Sequence, residues 1–205
     1  MGGDPVTMSS LFSPIVQTMT PTNLLLPTYR QMLKTLSGLI DTAQKQLPDR
    51  AESLLTARLA ADMLPFAAQV RFAAFQAQEA IFRLRGEPFP EWLEVIAAEG
   101  RNAADAPGTI ADAMIRLQDA LSFLTEVPDD ALDAGAERPI TIALPGGLTF
   151  DLTGEQYARD WALPQFYFHV VTAYAILRHR GVAIGKADYV PHMFAYLRPG
   201  TTAAT

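Results

Sequence analysis

The sequence of 205 residues contains no cysteine. This absence excludes disulfide scaffolds, thiolate metal sites, cysteine nucleophiles and redox couples, because each of them needs a thiol sulfur. The sequence also contains no run of basic residues, and its 22 acidic and 16 basic side chains give a formal net charge of −6. Nucleic acids and anionic membranes are bound mainly by clustered lysine and arginine. We therefore expect neither nucleic acid nor a membrane as a partner.

A charged leader and a long apolar run are absent as well. The first basic residue is Arg30, and Asp4 precedes it, which is unlike the start of a secretory signal. The most apolar stretch, residues 166–177, contains His169 and is shorter than the roughly 20 apolar residues that span a membrane. These features predict a cytoplasmic protein in which this stretch is a buried helix.

Apolar residues recur at steps of three and four along much of the chain, which is typical of amphipathic helices. Four long helices are predicted, at residues 21–47, 66–84, 110–124 and 163–180. Local signals mark three of their ends, since Gly86 follows the second helix, Thr109 can cap the third and Gly181 ends the fourth. Residues 91–107 are ambiguous and read as a short helix containing Trp92 followed by a polar turn.

The period changes to two over residues 139–152, where apolar residues alternate with polar or small ones on both sides of a Gly146-Gly147 turn. This pattern predicts a β-hairpin between the third and fourth helices. Four amphipathic helices and one hairpin favour an all-α fold, a four-helix bundle with an inserted hairpin. The expected organisation is a flexible arm at 1–20, one domain at 21–198 and a frayed tail at 199–205.

Polar residues within the apolar helices are the candidate site residues, because a buried polar group without a partner costs about 1–3 kcal/mol. His169 lies in the middle of the fourth helix, with Gln165 one turn before it and Thr172 on the same side. Gln69 and Asp62 are seven residues apart and are expected to share one edge of the second helix. We expect a polar site between these two helices that combines Gln69, Gln165 and His169.

A simpler alternative is that His169 is a core histidine that bonds a backbone carbonyl or a glutamine, since a lone imidazole is more often structural than a ligand. A metal site normally needs three suitable protein ligands, and glutamine is a poor one. His179, at the end of the fourth helix, is expected to interact with the helix carbonyls, and His192 has no assigned role. Hydrolase, Walker and His-Glu-x-x-His motifs are absent from the sequence.

Two segments carry a family resemblance. Residues 57–66, ARLAADMLPF, and residues 162–182, ALPQFYFHVVTAYAILRHRGV, resemble an uncharacterised branch of the DinB-like superfamily, a bacterial domain of unknown function. The closing residues 185–189 also fit, and the resemblance extends from about residue 10 to 189. It implies a four-helix bundle, often dimeric. Better-known relatives bind a divalent metal through one histidine on helix two and a His-x-x-x-His pair on helix four, and some are thiol-dependent transferases or isomerases.

Carried over to this sequence, the resemblance places His169 at the second histidine of that pair, Gln165 at the first and Gln69 at the helix-two position. It therefore implies a single retained metal ligand, His169. We expect a small-molecule pocket in a homodimer, without a three-histidine metal site and without a cofactor. The alternatives are a divalent-metal-dependent transferase or isomerase, with His169 as ligand and Asp62 as auxiliary, and a protein-interaction module that docks through the hairpin.

Overall fold

The structure, a computed structural model, describes residues 19–201, so most of the predicted arm at 1–20 and the end of the tail at 199–205 lie outside the described residues. The helices are α1 (Pro21–Gln46), α2 (Phe66–Arg85), α3 (Glu91–Asn102), α4 (Ile110–Thr125), α5 (Gly154–Gln156), α6 (Leu163–His179) and α7 (Lys186–Tyr189). The strands are β1 (Pro139–Ala143) and β2 (Thr149–Thr153). The four predicted long helices are α1, α2, α4 and α6, which confirms the predicted bundle.

α2 is the central helix and packs against α1, α3, α4 and α6. Its buried face is rich in alanine, and small side chains bring the axes of packed helices closer together. These buried alanines are Ala67, Ala68, Ala73, Ala74, Ala77 and Ala80. The helix ends at Gly86, whose φ of +68° is the left-handed conformation that favours glycine after a helix. The bundle therefore has its core around α2.

The ambiguous segment after α2 forms α3, which lies against α2. Leu93, Ile96 and Ala97 are buried on its inner face. Gly100 completes this face, because a Cβ atom there would lie 2.9 Å from the ring of Phe72. Close packing of α3 on α2 therefore depends on a glycine opposite an aromatic ring.

The most apolar stretch forms α6, which packs against α1 and α2. Its buried residues Phe166, Val170 and Ala173 follow helical spacing, as predicted. Gly181 follows the helix with a φ of +89°. None of the helices within residues 19–201 is both long and apolar enough to cross a membrane.

The predicted hairpin is present between α4 and α6. β1 and β2 pair antiparallel, with Ile140 opposite Leu152. Backbone contacts join the hairpin to the end of α2: the Cα of Gly135 lies against the carbonyl oxygen of Leu84, and the Cα of Gly154 lies against that of Gly135. A Cβ atom at either glycine would overlap the facing oxygen. The hairpin is thus fixed to the bundle by main-chain contacts with no spare space.

One turn of π-helix, Tyr157–Ala162, joins α5 to α6. The N–H of Leu163 bonds to the carbonyl of Ala158, five residues earlier. Pro164 directly follows this turn at the start of α6 and has no N–H to donate to the carbonyl of Asp160. Tyr157 is fully buried at the start of this turn. The sequence patterns do not predict this π-helical turn.

Candidate functional site

His169 on α6 and Gln69 on α2 meet between the two helices. Nδ1 of His169 lies 2.8 Å from Oε1 of Gln69. The amide nitrogen Nε2 of Gln69 donates a hydrogen bond to the backbone carbonyl of Leu64 at 3.1 Å. A carbonyl can only accept, so the Leu64 bond fixes the orientation of the amide and leaves Oε1 as the acceptor for His169. The proton of the neutral imidazole is therefore on Nδ1, and Nε2 has a free lone pair.

The surroundings of His169 keep this imidazole neutral. The side chain is 8% exposed, and burial lowers its pKa from the ordinary value of 6.5 to about 4. The ring of Phe72 stacks on it at 5.2 Å between centroids, and the ring of Phe168 meets it edge-on at 5.5 Å. No side chain or backbone group of residues 19–201 donates a hydrogen bond to Nε2. The site thus offers one oriented acceptor between aromatic rings.

The structure also shows where the other predicted site residues lie. Gln165 is half-buried one turn before His169 and makes no side-chain hydrogen bond within the described part of the chain. Thr172 is buried on α6. Asp62 is exposed in the turn before α2. The prediction that it shares an edge of the second helix is wrong, because this helix begins only at Phe66, after Pro65.

The donor atoms near His169 do not fit a three-histidine metal site. Within residues 19–201, no group of three histidine, aspartate or glutamate side chains could hold a metal ion. Oε1 of Gln69 already accepts the Nδ1–H of His169, so these two residues form one hydrogen-bonded pair and not two ligands for one ion. His179 is exposed at the end of α6. A single imidazole nitrogen therefore remains as a donor.

Comparisons with known proteins identify the family of the chain. Residues 22–190 match the family described as "Domain of unknown function (DUF1993)". The chain belongs to the DUF1993 family. It is also similar to the crystal structure of a DinB family member protein from Shewanella denitrificans, with 30% sequence identity, a TM-score of 0.67, and coverage of 89% of this chain and 95% of that chain. None of the curated proteins matches it. This DUF1993 protein is thus DinB-like, which confirms the resemblance.

Sequence patterns did not identify three further residues of interest in this DUF1993 protein, two charged and one aromatic. Arg71 and Glu79 are buried on α2, and Phe72 stacks on His169. Burial raises the pKa of Glu79, whose carboxylate accepts a hydrogen bond of 2.7 Å from Arg83. The sequence did contain a signal for Arg71, which is a charged residue between two apolar ones, Val70 and Phe72. Arg71 was not predicted as a site residue because it lies outside the apolar stripe that helical spacing gives to the second helix.

Proposed function

We propose that this DUF1993 protein binds a small molecule at its imidazole centre, defined as His169, Gln69 and Phe72, without a three-histidine metal site. The observation that carries the proposal is the free lone pair on Nε2 of a neutral, oriented imidazole. An oriented acceptor of this kind favours a ligand with a hydroxyl or N–H donor. The adjacent ring of Phe72 favours a flat or apolar ligand body.

The fixed orientation of the imidazole supports binding more than a purely structural role. Gln69 is itself held by the carbonyl of Leu64, so the chain of hydrogen bonds determines which nitrogen of His169 is free. A binding site gains affinity when its polar groups are held in position before the ligand arrives. The imidazole centre meets this condition through the carbonyl of Leu64, just before α2, and the side chain of Gln69 on α2.

The decisive experiment measures metal content and ligand response together. Protein purified without a chelator is analysed for zinc, nickel and iron, and the Cε1–H signal of His169 is followed by NMR as imidazole-binding fragments with hydroxyl or N–H donors are added. We expect metal well below one equivalent and a saturable shift of the His169 signal. His179→Ala serves as the matched control, because His179 lies exposed on the same helix.

Other outcomes would contradict the proposal. Stoichiometric metal that is lost in His169→Ala but kept in His179→Ala would favour the divalent-metal-dependent transferase or isomerase. A His169 signal that no fragment shifts would make the residue a core histidine. Loss of partner capture on deletion of residues 140–152, with helical content intact, would favour the interaction module.

We also propose that the protein is a bacterial cytoplasmic homodimer that associates through the outer face of α6. Phe168 and Val171 lie on this face and are 56% and 47% exposed. Apolar side chains on one face of a helix favour burial against a partner. Light scattering should give the mass of a dimer for the wild type and of a monomer for Val171→Glu; a monomeric wild type would contradict this.

A further inference from the structure

A second polar site lies on the opposite side of α2 from the imidazole centre. A cavity of about 290 Å³ opens between α2, the residues before α4 and α4 itself. We call it the arginine cavity. Its lining includes Arg71, Glu99, Ala106, Asp112, Ile115 and Arg116. The volume is near the lower end of the range for small-molecule sites, which is roughly 300–1,000 Å³.

Arg71 is the unusual member of this lining, because its guanidinium is buried and only partly hydrogen-bonded. The residue is 3% exposed. Nη1 donates to the carbonyl of Ala67 at 3.1 Å, which satisfies one of five N–H groups. Nε is fully buried without a hydrogen bond and lies 3.6 Å from the nearest oxygen of Glu99. Leaving donors of a buried charged group unpaired costs free energy that a bound acceptor would recover.

The carboxylates around Arg71 are already engaged. Glu99 accepts hydrogen bonds from Nε and Nη2 of Arg116 in a two-point contact. Asp112 accepts from the backbone N–H and the hydroxyl of Thr109, both at 2.8 Å, as part of the cap of α4. Glu99 also forms an ion pair with Arg71, but its nearest oxygen lies 3.6 Å from Nε, which is too long for a hydrogen bond, and Asp112 makes no hydrogen bond to Arg71 within residues 19–201. The group that remains in need of an acceptor is the Arg71 guanidinium.

Gly108 makes room for the guanidinium of Arg71, which packs against its backbone. Its φ is +68°, and a Cβ atom there would lie 2.7 Å from Nη2 of Arg71. Any other residue at this position would both strain the backbone and press on the guanidinium. Nη2 thus lies beside a backbone without a side chain, at the edge of the cavity.

The charges of the lining select the kind of anion. Two arginines and two acidic residues give the cavity a formal charge near zero. A singly charged carboxylate can match the fork of the Arg71 donors, and Glu99 and Asp112 would repel it less strongly than a doubly charged phosphate. Ala106 and Ile115 add an apolar surface for a short hydrocarbon chain.

We propose that Arg71 binds the carboxylate of a small molecule in the arginine cavity, with the hydrocarbon part of the ligand on Ala106 and Ile115. The site would be separate from the imidazole centre, and the proposal does not rest on the function proposed for that centre. Arg71 and Gln69 are two residues apart on α2, so they point in different directions from the helix axis. A carboxylate can therefore occupy one site while the other is altered.

The test is calorimetric titration of the full chain with butyrate. Butyramide, which has the same shape without the charge, and inorganic phosphate are titrated as probes of the selectivity. We expect saturable butyrate binding with a Kd of about 1 mM, as suits so small a ligand, and at least tenfold weaker binding of both other probes. Absence of saturable butyrate binding in the millimolar range, or tighter binding of phosphate, overturns the proposal.

Variants locate the bound carboxylate. Arg71→Met removes the guanidinium, and Ala106→Leu fills the rim of the cavity while Arg71 stays in place. Ala104→Leu is the matched control, because Ala104 is equally exposed in the same segment but does not line the cavity. We expect Arg71→Met and Ala106→Leu each to weaken butyrate binding at least tenfold, and Ala104→Leu and His169→Ala to leave it unchanged. Binding that survives Ala106→Leu, or that is lost in His169→Ala, overturns the assignment to this cavity.

Discussion

The two ends of α2 are held by different kinds of contact. Near its start, the contacts are made by polar side chains: Gln69 bonds to His169 across the bundle, and Arg71 lies beside Glu99. Near its end, they are made by the main chain. The carbonyl of Leu84 lies against the Cα of Gly135 and also accepts a hydrogen bond of 3.2 Å from Arg138. At the first end, His169 and Arg71 each keep a nitrogen without a hydrogen-bond partner among residues 19–201, whereas the closest contacts of the second end are between backbone atoms.

This difference distinguishes the start of α2, where a ligand can bind, from its end, which supports the hairpin. Main-chain atoms in direct contact fix the position of the hairpin, but they leave no lone pair or donor free for another molecule. Side chains such as His169 and Arg71 keep unused hydrogen-bonding capacity, which a ligand can fill. Both proposed sites therefore belong to the start of α2, and three substitutions test this contrast in order of decreasing effect.

The largest effect is expected at the main-chain end. Gly154→Ala should lower the free energy of unfolding by about 4 kcal/mol or prevent folding, because the new Cβ overlaps the carbonyl of Gly135. Gly38→Ala is the control: Gly38 lies in α1 with no atom within 4 Å of a new Cβ, so alanine should stabilise by about 0.5–1 kcal/mol. Urea unfolding measures both. Equal stability of Gly154→Ala and the wild type would show that this end is not tightly packed.

The second effect concerns the pH dependence that His169 adds. Its pKa is about 4 in the folded chain against an ordinary value of 6.5. Between these values the unfolded chain binds more protons than the folded chain, so stability rises with pH in this window and falls on acidification. The wild type should lose about 3 kcal/mol more than His169→Gln between pH 7 and pH 4. Urea unfolding at both pH values, with His179→Gln as control, measures this; parallel losses in wild type and His169→Gln would show that His169 is not buried in a neutral form.

The smallest effect compares two buried glutamines of α2. Gln69→Leu should cost about 2 kcal/mol, because it leaves Nδ1 of His169 and the carbonyl of Leu64 without their partner. Gln78 bonds only to the carbonyl of Ala74 one turn earlier in its own helix. Gln78→Leu should therefore cost less than about 1 kcal/mol. Similar losses of unfolding free energy for both variants, measured by urea unfolding, would show that the Gln69–His169 hydrogen bond adds no more stability than the hydrogen bond of Gln78 within its own helix.

Local signals were sufficient to predict most of the fold. The cap at Thr109, the glycine after α6 and the alternating hairpin each depend on neighbouring residues, and all three are present. Asp62 was misplaced because helical spacing continues backwards past Pro65, although the chain turns there and the helix begins at Phe66. Helical spacing alone does not show where a turn ends and the helix begins.

The candidate sites could be predicted only in part for the same reason. Helical spacing placed Gln69 and His169 on facing sides of two predicted helices, and their contact is present. The environment of Arg71 depends on Glu99, from α3, and on the turn at Gly108. Both belong to or border the segment that sequence patterns left ambiguous. Periodicity cannot predict a contact with a segment whose own secondary structure it leaves ambiguous.

The π-helical turn at Tyr157–Ala162 also determines how far the hairpin is rotated about the helix axis relative to the imidazole centre. Each residue of an α-helix turns the chain by about 100°, and a π-helical turn accommodates one residue more than an α-helical turn. Deleting one residue from this turn would rotate the preceding segment by about that angle relative to His169. Tyr157, now fully buried, would be turned away from the core. Length changes in this connection are thus constrained, even though a Cβ atom added at Gly146 or Gly147, in the hairpin tip, would have no other atom of residues 19–201 within 4 Å.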